Sequence, residues 1–129
     1  MQRRRQNDKL SRLRQTLREF LADLAKSLGV AFGRAPMIKG NVYQLARKCG
    51  KPTCACTTGK LHRSMVLTWS HEGKSKLFSI PPERVSELQG KSQVYLKFRR
   101  ARARVTKGCK EILGVMDRIE KLRREDPLR

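Results

Sequence analysis

Leu10, Leu13, Leu17, Phe20, Leu21, Leu24 and Leu28 recur at steps of three and four residues, the spacing of one apolar face on a helix. The pattern predicts a helix over residues 8–28, about 30 Å long at 1.5 Å rise per residue, with residues 29–36 as a linker. Residues 38–80 read differently. Val42, Tyr43 and Leu45 precede a cysteine-rich stretch, and the runs SMVLTWS and KLFSI follow it. Met65, Leu67 and Trp69 alternate with Val66, Thr68 and Ser70, which predicts a strand with one buried face. HEGK supplies the glycine of a hairpin turn, and Pro81-Pro82 closes the next strand. The expectation is a small antiparallel meander of two or three strands, with the cysteines in the loop that leaves the first.

Pro82 followed by Glu83 suits a helix start, and Gly90 predicts an interruption or bend. Beyond it Phe98, Val105, Ile112 and Ile119 are spaced by heptads, as are Val94, Ala101, Gly108, Val115 and Leu122. The two series interleave as a coiled-coil seam and predict one helix over residues 91–125, about 50 Å long. Such a seam must meet another apolar stripe, and the first helix offers one. The fold class is therefore α+β: a small antiparallel β-meander carrying a zinc knuckle, flanked by an N-terminal helix and a long C-terminal helix that form an antiparallel helical pair. Three segments follow: residues 1–36 as a basic arm and amphipathic helix, 37–81 as the knuckle meander, and 82–129 as the long basic helix. The surplus length of the last helix would protrude or dimerise, so a homodimer stays open.

Charge changes the picture from fold to partner. In 129 residues, 31 Lys and Arg stand against 11 Asp and Glu, a formal charge of +20. Solubility alone needs a net charge of only about 2 to 8 in a small domain. The surplus is also uneven: residues 24–71 and 88–110 contain no acid, whereas residues 111–129 cancel. Immobile cations in this excess call for a polyanion, and nucleic acid is the natural one. The candidate contacts are Arg3, Arg4 and Arg5 as an arm ordering on phosphate; Arg47, Lys48, Lys51, Lys60 and Arg63 around the cysteines; and Lys97, Arg99, Arg100, Arg102, Arg104 and Lys107 on the long helix. Few aromatics are left over from the predicted core for stacking on bases, so duplex DNA or structured RNA fits better than a single strand. No apolar run spans a membrane, and the first ten residues lack the core of a secretory signal, so a cytoplasmic protein without a membrane partner is expected.

The stretch CGKPTCACTTGKLH holds three of the four cysteines and one of the two histidines. In a reducing compartment such a cluster points to metal or redox chemistry. Thiolates and a neutral imidazole are good zinc ligands, and a structural site takes four in a tetrahedron. Cys49, Cys54, Cys56 and His62 supply that set, with Gly50 and Pro52 permitting the tight turn between the first two. Lys48, Lys51 and Lys60 offset the negative charge of three thiolates on a divalent ion. A redox pair usually shows Cys-x-x-Cys, which is absent. Were His62 not the fourth ligand, His71 or water would fill the vacancy; His71 reads more simply as an exposed turn residue, and Cys109 as a buried free thiol beside the seam.

The run CGKPTCAC followed by LH, with the hairpin VLTWSHEGKSKLFSIPPERV after it, resembles an uncharacterised family of small prokaryotic proteins that carry Cys-Gly-Lys-Pro-x-Cys-x-Cys and then Leu-His-Gly-Pro-Tyr. The resemblance covers about residues 38–100. It implies that Cys49, Cys54, Cys56 and His62 belong together and that the chain travels with mobile genetic elements. Arg63, Ser64 and Met65 replace the Gly-Pro-Tyr of that pattern.

Paired carboxylates, a nucleophile with its base and a phosphate-cradling glycine loop are all missing, so no enzymatic activity is expected. The leading expectation is a zinc-stabilised, strongly basic accessory protein that binds duplex DNA within a recombination or transposition complex. The alternatives are an RNA-binding subunit of a ribonucleoprotein and an adaptor that docks on a protein through its heptad helix.

Overall fold

The computed structural model describes residues 1–129 and divides them into two compact units. One comprises Met1–Gly33 with Lys97–Arg129, and the other comprises Arg34–Leu96.

The first unit is a helical hairpin. Helix α1 runs over Gln2–Gly29 and ends in a 3-10 turn, Val30–Phe32. It starts six residues earlier than the apolar stripe predicts, so Arg3, Arg4 and Arg5 form its first turn instead of an arm outside it. Three guanidinium groups at the positive end of a helix dipole are unfavourable, and no acid in that turn offsets them. The end is fastened instead by the Gln6 amide, which donates to the carbonyl of Leu122. Helix α2, Val85–Arg123, supplies the second arm from Lys97 onward. The two run antiparallel: Leu13 lies beside Leu122, Phe20 and Leu24 beside Gly108, and Leu28 beside Phe98 and Ala101. The seam is thin. Leu10, Ser27, Ala101 and Val115 are buried, while most other seam positions are half-buried. The α2 arm of the hairpin matches α1 in length, so it has no surplus to protrude.

The second unit is built on a sheet of order β1-β2-β3, with β1 Asn41–Arg47, β2 His62–His71 and β3 Lys74–Ser79. Both pairings are antiparallel; β1 meets β2 from Asn41 opposite Thr68 to Arg47 opposite His62. Glu72 and Gly73, with φ of 51° and 77°, form a two-residue turn of the type that matches strand twist. The core comprises Leu67, Ile80 and Leu88, with Ile38, Val42, Met65, Trp69 and Val85 packed against them. Met65, Leu67 and Trp69 thus face inward as their alternation predicts. Val66 departs from it: flanked in register by Tyr43 and Ser79, it has no exposed surface although it lies on the other face.

Gly90 neither interrupts nor bends the chain into two helices; α2 is one element through it. Glycine costs about 1 kcal/mol in a helix interior, and tertiary docking offsets that here. Val85 and Leu88 enter the core, the Ser92 hydroxyl donates to the carbonyl of Gly40 at 2.7 Å, and the Ile38 amide donates to the carbonyl of Lys91 at 3.1 Å. Gly40 must be small. A Cβ there would stand 2.8 Å from Leu67 Cδ1 and 3.1 Å from the Thr68 carbonyl oxygen. Residues 38–40 are thereby held against α2, which sets the path of β1 and of the loop it leads into. No helix is long and apolar enough to cross a membrane.

Candidate metal centre

Residues 48–61 connect β1 to β2 and carry the cysteine cluster. Because Arg47 and His62 are the last pair of the ladder, Cys49 leaves the sheet two residues beyond a fixed point, and His62 sits on it. Gly50 has φ of 85°, a left-handed conformation that side chains with a Cβ disfavour, and it turns the chain sharply after Cys49. The Cys54 amide closes the next bend on the Lys51 carbonyl at 3.2 Å. Cys54 then caps a single 3-10 turn, Ala55–Thr58, which places Cys56 inside it. The Thr57 and Thr58 hydroxyls donate to the carbonyls of Cys54 and Ala55 at 2.8 and 2.9 Å and fasten that turn.

This path brings the four expected ligands together. One atom each from Cys49, Cys54, Cys56 and His62 lies within 4.8 Å of all the others. Cys49 Sγ is 3.5 Å from Cys56 Sγ, and Cys54 Sγ is 3.1 Å from His62 Nε2. A tetrahedral ion with bonds of about 2.3 Å to sulfur and about 2.0 Å to nitrogen has edges of about 3.5–3.8 Å. The group can hold a metal ion, with Nε2 as the imidazole donor. The Cys49 amide points at Cys56 Sγ at 3.4 Å, the kind of N–H···S contact that stabilises a ligating thiolate. Cys56 is buried, Cys54 half-buried, and Cys49 and His62 exposed, so the cluster is closed on its inner side and reachable from outside.

The environment separates the thiols chemically. Cys54 is lowered to about 6 by the Cys56 backbone amide, and then by hydrogen bonds to the Cys56, Cys49 and His62 side chains. Cys56 feels the Cys49 amide pulling it down, but burial and the neighbouring thiols of Cys49 and Cys54 push it up overall. Cys109 is exposed on α2, contrary to the buried thiol that its place beside the seam suggests. His71 is exposed next to the β2–β3 turn, 3.7 Å from Glu72.

The cations expected to meet a polyanion are all exposed. Arg47, Lys48, Lys51, Lys60 and Arg63 belong to the loop and the strand ends that frame the metal cluster. Arg47 shares a sheet face with His62 across the ladder, and Arg63 points to the other face. The remaining candidates lie on the helical hairpin, and its antiparallel course separates them: Arg3, Arg4 and Arg5 are at the end near Leu122, whereas Lys97, Arg99, Arg100, Arg102, Arg104 and Lys107 are toward the end near Leu28. Of all these candidates only Lys107 has a carboxylate within ion-pair distance, Glu111 at 3.7 Å. The hairpin also gathers cations that linear reading passes over. Lys9, Arg12, Arg118 and Lys121 surround Leu13 and Leu122, and Lys26 joins Arg104 and Lys107 around a cleft of about 470 Å³ between the helices that Asp23 and Glu111 also line. Pairing the two apolar stripes in antiparallel register would have found them.

The fold and the Cys3His cluster define a small α+β protein with a loop whose four clustered side chains can hold a metal ion. Residues 3–90 match the model of a family described as a domain of unknown function (DUF6788), and the chain belongs to that family. The match takes in most of α1 as well as the sheet and its metal loop. No curated protein and no solved structure matches the chain.

Proposed function

We propose that this protein is a zinc-stabilised nucleic-acid-binding accessory protein, with duplex DNA as its polyanion. One observation carries the reading: its exposed cations are almost all without acidic partners, and five of them frame the metal cluster. Cationic groups that served only solubility would be interspersed with acids and paired with them along helices. Three thiolates and one imidazole are the donor set of structural zinc, and a closed four-ligand site leaves no position for a substrate. The ion would act as a clip. It would hold residues 48–61, which have only a single 3-10 turn of regular structure, in one shape so that Lys48, Lys51 and Lys60 meet phosphates without an ordering cost.

Duplex is favoured over single strand because base stacking needs exposed aromatic platforms. Phe20 and Phe98 are half-buried in the helical seam, and Tyr43 and Trp69 are half-buried on the sheet; Phe32 and Phe78 are exposed, two rings where a groove that tracks a single strand stacks successive bases on a series of them. Service within a recombination or transposition complex, and carriage on mobile elements, extends this reading to the machine. A ribonucleoprotein role uses the same surfaces on folded RNA. Purification from native cells, followed by metal analysis and nuclease typing of bound nucleic acid, tests the proposal. Zinc at one equivalent with co-purifying DNA supports it; nucleic-acid-free protein at low salt removes it.

A further inference from the structure

The helical hairpin has two unlike sides. On α1, Arg14, Arg18, Leu21, Ala25 and Leu28 follow steps of four and three, a row immediately beside the seam. On α2, Arg102, Cys109, Leu113 and Met116 form the corresponding row. In an antiparallel pair these rows fall on the same side, and a groove that Leu28 and Arg102 line together shows that they do. Leu21, Leu113 and Met116 are 59%, 59% and 52% exposed there. The opposite side of the hairpin carries Lys9, Arg12, Lys26, Arg104 and Lys107 around its clefts, against two acids, Asp23 and Glu111. Phosphate contact suits that side. The apolar residues of the row are left without a partner by the proposed function, and Arg102, a phosphate candidate in the sequence, falls on this side instead.

We propose that this apolar side is the docking groove for an acidic amphipathic helix of a protein partner. Two features select a helix. The row lies beside a seam already spaced for knobs-into-holes packing. At the Leu28 end the row meets a cavity of about 230 Å³ lined by Ala31, Phe98, Ala101 and Val105 among others, mostly apolar and of the size of one bulky apolar side chain. The charges on the rim select acid. Arg14, Arg18 and Arg102 are exposed and have no carboxylate within ion-pair distance; of the acids next to the α2 row, Glu120 is engaged by Arg124 at 3.3 Å and Asp117 is free, so three unpaired cations face one unpaired acid. A second copy would set arginine rim against arginine rim. A helix with leucines along one stripe and glutamates flanking it satisfies both groove and rim.

The test uses the full chain and a synthetic peptide of about three heptads, with leucine at a and d and glutamate at e and g, against a scrambled peptide of identical composition. Binding is read by fluorescence anisotropy near physiological salt, where charges farther apart than about 8 Å are screened. The amphipathic peptide should bind and the scrambled one should not. Leu113→Asp with Met116→Asp should weaken binding at least about tenfold, and Leu21→Asp should do the same from the other helix. Lys107→Ala, on the opposite side, should leave it unchanged. All four substituted positions are exposed, and an unaltered far-UV circular dichroism spectrum certifies folding. Equal binding of the two peptides, no binding, or a chain that is already dimeric and becomes monomeric with Leu113→Asp and Met116→Asp would overturn the assignment.

Discussion

Arg47 stands directly opposite His62 in the last pair of the β1–β2 ladder. A cation and a metal ligand are thereby fixed to the same end of the sheet, and the loop that carries the three thiolates begins and ends on that pair. On the proposed function, metal binding and phosphate contact are mechanically linked, because whatever orders the loop orders the lysines on it.

The first consequence concerns the metal. Cys56→Ser removes the buried member of the cluster, and elemental analysis should find the proposed zinc, one per chain, in the parent protein and none in the variant. Residues 48–61 should then become the preferred site of limited proteolysis, while helical circular dichroism, which comes from α1 and α2, is retained. Full metal content in Cys56→Ser would show that the cluster is held by other groups.

The thiols should differ in the metal-free protein. Cys54, lowered to about 6 from 9.0, is largely thiolate at neutral pH and should alkylate first among the cluster, with buried Cys56 last. The sign for stability follows from the same shift. Because Cys54 ionises more easily in the folded state, its own contribution is complete above about pH 9, shrinks as pH falls and is gone below about pH 6, while Cys56, pushed up, opposes it at alkaline pH. Mass-spectrometric mapping of alkylation after chelation checks the order.

Two glycines should respond oppositely to alanine. Gly40→Ala drives a methyl to within 2.8 Å of Leu67 Cδ1 and 3.1 Å of a backbone oxygen, and should destabilise by about 1–3 kcal/mol. Gly114→Ala meets nothing within 4 Å in the interior of α2 and should stabilise by about 0.5–1 kcal/mol. Urea titrations of both variants, compared with the parent chain, measure the two signs.

Much of this was legible in the sequence because two periodicities dominate it. Heptads from Phe98 to Leu122 and the stripe from Leu10 to Leu28 specify the helical pair, and the alternation from Met65 to Trp69 specifies the central strand. The ligand set was legible because four soft donors within fourteen positions have few other uses. What escaped was tertiary. The cost of Gly90 is local, but the docking of Leu88 and Ser92 that overrides it is not. Cys109 lies one position off the seam, and in a thin two-helix packing that is enough to expose it. Val66 belongs to a central strand, whose two faces can both be covered, and no alternation within one strand reports that. Arg3, Arg4 and Arg5 read as an arm because they are polar, yet a helix already nucleated by Leu10 and Leu13 extends through them.

The account rests on exposed, unpaired cations gripping phosphate, and the salt dependence of duplex binding tests it most directly. Affinity for a short duplex should fall linearly on a log–log plot against salt, with a slope of about −0.9 per phosphate neutralised. Alanine at Arg47, Lys48, Lys51 and Arg63 together should weaken binding for every sequence and make the slope shallower by about one unit per contact removed. An affinity that does not change with salt, or a slope identical in the parent chain and this variant, would contradict it.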